Sequence, residues 1–188
     1  MDTKLLFTRV LEQVTECVLT AEVKQFGNAT PCSEWNLGQL LNHMVYELLW
    51  IPDLLEGKTV AEIGTKYDGD VLGDRPQAAW QDAADAAQEA VNKADLAGKV
   101  HLSGGDKKSQ DYIAEMAMEV LVHGWDVSQA LNYSLVFDPG IAQAVYDNTL
   151  PQKDQLQADG SVGPEIDVPE DAPVEVKLLG IMGRSVGS

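Results

Sequence analysis

Apolar residues recur at three- and four-residue steps from the start of the chain: Leu6, Val10, Leu11, Val14, Val18 and Leu19. That is the period of an amphipathic helix, and it predicts one over residues 3–24 with Asp2 as its cap. In CSEWNLGQLLNHMVYELLWI, Asn36 reads as a second cap, Gln39 takes the capping-box position, and Trp35 is placed to staple onto Leu40. Leu37, Leu40, Leu41, Met44 and Leu48 then form one stripe. Residues 57–74 are rich in glycine and aspartate without a sustained period, so they read as a long connection.

Pro76 opens an alanine-rich helix that Gly98 ends, and VHLSGG follows as a short extended piece or loop. Ser109 is the expected cap of another long helix, and Asn132 suits its left-handed end. Asp138 and Pro139 start a shorter helix that Pro151 stops. After it comes an acidic, turn-rich surface segment, and Pro173 opens a last short helix. With four long helices and almost no alternation, the expected fold is all-α: an antiparallel four-helix bundle over residues 1–150 with little or no sheet. Residues 151–188 are expected to pack on the same domain.

Composition narrows the function. Against 13 basic residues stand 30 acidic ones, a formal charge of -17, which disfavours nucleic acid and anionic membrane surfaces as partners. No apolar run reaches the roughly 20 residues that span a bilayer, and the N-terminus lacks signal-peptide order, so a cytoplasmic location is expected. Cys17 and Cys32 are too few to imply a disulfide framework and are read as thiols. Cys32, just ahead of the second helix, is either a reactive thiol or a buried structural one, the second reading being preferred.

At about 100° per residue, Glu119 and His123 lie together at one border of the apolar arc formed by Ile113, Met116, Ala117, Val120, Val127 and Leu131. His43 takes the matching border position on the second helix, with Glu47 one turn further along. Two imidazoles and a carboxylate make an open, catalytic-type ligand set that zinc suits best and nickel, cobalt or iron also accept. The competing reading is an ordinary core histidine beside a surface carboxylate. His101 reads as exposed. Asp126 reads as solvated or as a hydrogen-bond acceptor for an imidazole. Trp35 and Trp125 are assigned to the core or to a staple, and Glu47 to solvent, with general base as its weaker reading.

TPCSEWNLGQLLNHMV, EVLVHGWDVSQALN and the closing LLGIMGR together resemble the actinobacterial relatives of the N-terminal domain of mycothiol-dependent maleylpyruvate isomerase, in the DinB-like superfamily. The resemblance implies a four-helix bundle and a metal-dependent enzyme using a low-molecular-weight thiol. It carries the family's metal ligands onto His43, Glu119 and His123. The isomerase's further C-terminal domain helps form its active site, and the tail after Pro151 reads as too short to supply it. Maleylpyruvate isomerisation itself is therefore not expected, and Arg184 is read as a surface residue.

The leading expectation is a transferase or isomerase in which a thiolate attacks a small electrophile, in a monomer or homodimer. A non-catalytic metal- or ligand-binding module and a metal-dependent hydrolase are the alternatives.

Overall fold

The structure is a computed structural model that describes residues 1–158, 160 and 162–186. Asp159, Ser161, Gly187 and Ser188, all within the segment expected to pack as a tail, lie outside the described residues. The first helix, α1, spans Thr3–Val18, and the Asp2 carboxylate accepts from the backbone N–H of Lys4 and Leu5 as expected. It ends earlier than its stripe suggests. The Thr20 hydroxyl and backbone N–H both donate to Cys17 O, turning the chain and leaving Leu19 exposed.

Helix α2, Leu37–Leu55, starts on the expected capping box, in which Asn36 accepts from Gln39 N and the Gln39 side chain accepts from Asn36 N. The connection that follows holds one short helix, α3 (Val60–Ile63), and is tied down at two places. Buried Asp53 accepts from Lys58 Nζ at 2.5 Å, Lys66 Nζ at 2.7 Å and Tyr67 Oη at 2.9 Å. Asn42 on α2 donates to Gly69 O and accepts from Val71 N, as a strand neighbour would.

Helix α4, Pro76–Lys93, begins on its proline but stops five residues before Gly98. Asp95 makes a competing local turn by accepting from Ala97 N. The Lys4 ammonium closes the helix end by donating to Asn92 O and Ala94 O. The extended piece after it is a small antiparallel hairpin, β1 (Lys99–Leu102) with β2 (Gly105–Lys108). Helix α5, Ser109–Leu131, grows directly from β2. Ser109 is therefore not the cap: it is the first helical residue, buried, with its N–H on Gly98 O, and Lys108 takes the cap position without a side-chain bond. Asn132 ends the helix at φ 53°, as expected.

Helices α1, α2, α4 and α5 form the four-helix bundle, with α1 packed on α5 and α4, and α2 on α4 and α5. Contacts between termini set the directions. Lys4 at the start of α1 meets the end of α4, and Gln77 at the start of α4 donates to Ala21 O beyond the end of α1, so that pair is antiparallel. The connection over residues 56–75 carries the chain back along the bundle, so α4 runs parallel to α2. Helices α1 and α5 pack closely at Gly124, where an added Cβ would lie 2.5 Å from Val14 Cγ2. Trp80, Phe7, Leu6, Leu37, Leu40, Leu48, Ile51, Ile113 and Leu121 fill the interior.

The described chain divides into two compact units, Asp2–Leu135 and one comprising Val136–Ser188 with Met1. The second holds α6 (Pro139–Thr149), α7 (Lys153–Ala158) and α8 (Val174–Ile181), with α6 packed on α8. Asp138 caps α6 through Gly140 N and Ile141 N, and Ile166 N donates to Gly180 O beside α8. Among the described residues no helix is long and apolar enough to cross a membrane.

Candidate metal centre

His43 lies in the second turn of α2, while Glu119 and His123 occupy successive turns in the middle of α5. The Asn36 capping box sets where α2 begins. The close contact of Gly124 with Val14 sets the rotation of α5. Together these bring the three expected ligands to one place: their donor atoms all lie within 4.8 Å of one another. The two imidazoles meet edge to face, with ring centroids 5.3 Å apart at 89°. His123 Nε2 is 3.2 Å from Glu119 Oε2. The donor set is chemically suited to a divalent metal of zinc type, since a pair of imidazoles and one carboxylate leaves further coordination positions open.

His123 is buried, and its second nitrogen faces a carboxylate that is wholly inaccessible: Nδ1 is 3.0 Å from Asp126 Oδ2, with Asp126 at 0% exposure. Asp126 is thus the imidazole's acceptor, one of the two roles expected of it, and is not solvated. With the Nδ1 proton given to Asp126, Nε2 is the nitrogen that faces Glu119 and His43.

Burial pulls the His123 pKa down, but the bonds from Asp126 and Glu119 outweigh it and hold the pKa up at about 9. Burial, with help from His123, pushes His43 down to about 4 against the opposing pull of Glu119, so His43 is a neutral donor at physiological pH. Glu47 is half-buried, not solvated as expected. Burial and the Glu119 carboxylate push it up to about 7, with His123 pulling the other way. Buried Tyr112 Oη on α5 has no hydrogen-bond partner among the described residues, and burial together with Glu47 and Glu115 raises its pKa.

Two residues ahead of α2 belong here although the sequence reading placed them elsewhere. The Trp35 ring stands 4.4 Å from the His43 ring and 5.9 Å from that of His123. Cys32 is half-buried rather than buried, and its Sγ falls within 4.8 Å of donor atoms of His123 and Asp126. Their position just before a capped helix that carries a border histidine was the available signal. Trp125 is buried, in keeping with its core assignment. His101 is half-exposed, with Nδ1 2.7 Å from Asp106 Oδ1, and is not among the residues of the cluster. Half-buried Arg184 donates to Met182 O in the C-terminal unit.

Fold and site together define a helical-bundle protein with a His–Glu–His cluster shared by two of its helices. The family model described as the mycothiol maleylpyruvate isomerase N-terminal domain matches residues 7–128, and the chain belongs to that family. Two curated relatives, the uncharacterized proteins MT0763 and Rv0738 from two strains of Mycobacterium tuberculosis, are each 28% identical over 146 residues, covering 76% of this chain and 74% of theirs. The crystal structure of the mycothiol-dependent maleylpyruvate isomerase superposes with a TM-score of 0.70 at 13% identity, over 97% of this chain and 88% of that one. A mutant of the same isomerase gives 0.64 at 12% identity, over 87% and 73%. At 97% coverage the likeness takes in residues after Pro151 as well.

Proposed function

We propose that the chain holds a divalent metal on His43, Glu119 and His123 and works as a low-molecular-weight-thiol-dependent transferase or isomerase on a small electrophile. The observation that carries this reading is the convergence of the three donor atoms within 4.8 Å, backed by buried Asp126 on His123. Zinc is the metal this donor set suits best, and when bound it supplies a positive charge that favours thiolate over thiol.

The chain's own groups do the positioning. His43 is neutral and ready to donate, while Asp126 fixes the ring of His123, whose Nε2 must release its proton to take the metal. Glu47, half-buried one turn from His43, takes or returns the proton exchanged as the sulfur–carbon bond forms. A thiol that stays on the electrophile makes the reaction a transfer. One expelled after rotation about the attacked bond makes it an isomerisation. Mycothiol, named in the titles of the related structures, is the thiol to try first.

Metal content of protein purified without chelator tests the site against the His43→Ala/His123→Ala double variant. Close to one metal per chain, lost in the variant, is expected. Equal content in both overturns the site. Thiol consumption with a panel of electrophiles then tests the activity, and turnover that survives metal removal overturns the chemistry.

A further inference from the structure

A groove of about 800 Å³ opens beside the cluster, and His43 and Trp35 belong to its wall. Its volume is in the range of sites for small organic ligands. Phe26, Trp35 and Tyr46 give it aromatic faces, while Asp68 and Asp70 stand on the connection before α4, held against α2 by the Asn42 bonds. Among the described residues no lysine or arginine lines it. The Asp68 charge is felt at the Tyr46 hydroxyl, whose pKa burial and then Glu47 and Asp68 raise. The chain as a whole carries a formal charge of -17, so the field outside the groove has the same sign as its rim.

Away from the His43 cluster, an anion in the groove would meet two carboxylates and, among the described residues, no lysine or arginine. A small organic cation with an apolar frame would meet carboxylates at one end and ring faces at the other, the two surfaces that stabilise an ammonium group. We infer that the rim of this groove selects a positively charged small organic molecule, an amine on an apolar or aromatic frame. Naming that molecule as the substrate rests on the function proposed above. The charge preference of the groove does not.

Calorimetric titration with two probes of matched size, phenethylammonium and 3-phenylpropanoate, tests the inference on metal-loaded and metal-free protein. The ammonium is expected to bind at least tenfold more tightly than the carboxylate to the metal-free protein, which is the arm that decides, since an open metal position would itself take the carboxylate. Asp68→Asn/Asp70→Asn, in which residue 70 keeps an acceptor for the N–H groups of Leu72 and Gly73, is expected to bring the two within about threefold. The exposed pair Asp85→Asn/Glu89→Gln on α4 changes the net charge equally and is expected to leave the preference in place. Equal or tighter binding of the carboxylate to metal-free protein overturns the inference, as does failure of the ammonium to bind. A preference that the α4 pair abolishes as fully as the groove pair does so too, since it would then belong to the net charge. If the preference holds in a protein that never takes up metal, the proposed chemistry falls and the selectivity of the groove stands.

Discussion

The imidazole of His123 and the carboxylate of Asp126 are joined at 3.0 Å, one helical turn apart on α5, at a point solvent does not reach. A buried carboxylate needs a donor, and an imidazole that is to offer Nε2 needs its other nitrogen occupied. Each residue meets the other's requirement. Asp126→Asn preserves shape but removes the charge and lets the ring settle in either orientation. Metal affinity, read by competition with a chromogenic chelator, is expected to fall about 10- to 100-fold with the helical circular dichroism intact. Unchanged affinity would remove Asp126 from the site.

Gly124 and Val14 make a second pairing on which the site depends. A methyl at 124 would lie 2.5 Å from one Val14 methyl and 2.8 Å from the other. Gly124→Ala gains roughly 0.5–1 kcal/mol of helix propensity but forces α5 off α1, an overpacking cost of about 1–3 kcal/mol. A net loss of roughly 1–2 kcal/mol in denaturant unfolding is expected. In a Val14→Ala background the same change should cost less, because the obstructing methyls are gone. Additive losses would show that the two residues are not in conflict.

Asp53 gives the bundle a defined acid sensitivity. Burial pushes its carboxyl up, but Lys58, Lys66 and Tyr67 together outweigh this and hold it at about 2, below the ordinary 3.8. A depressed folded-state pKa contributes stability that is present above about 4 and lost as pH falls from there through about 2. The two lysines are partly exposed and screened, so the contribution is roughly 1–2 kcal/mol. The stability difference between the native protein and Asp53→Asn should therefore shrink across that window. A difference that stays constant from pH 6 to 2 would refute the linkage.

Asn132 has a left-handed backbone at φ 53°. Asn132→Gly is expected to keep or slightly raise the unfolding midpoint. Asn132→Val, which disfavours that region by about 1–2 kcal/mol, is expected to lower it. Equal effects would mean that the end of α5 has moved.

Signals that act within one turn were readable in the sequence. The Asn36 and Gln39 box, the Asp2 and Asp138 caps and the Asn132 stop depend on neighbouring residues, and the structure keeps them. Border positions on two helices were enough to select His43, Glu119 and His123, because a bundle turns such borders toward each other. Features set by distant chain were not readable. Trp35 and Cys32 reach the cluster because the segment after α1 folds back, with Asn28 Nδ2 on Ala130 O and Leu37 N on Asn28 O. The end of α4 depends on Lys4, nearly 90 residues earlier. No local pattern encodes such contacts.

The paired bonds from Asn42 to the backbone of Gly69 and Val71 lie one residue before His43. The groove's rim and its histidine thus belong to one preassembled piece, and a ligand entering it has little chain left to order. Because those bonds go to main-chain atoms, the exposed side chain of Asp68 can be exchanged, and that of Asp70 for another acceptor, without loosening them. Selectivity for what is bound and the chemistry done to it are consequently open to separate change, by selection or by design.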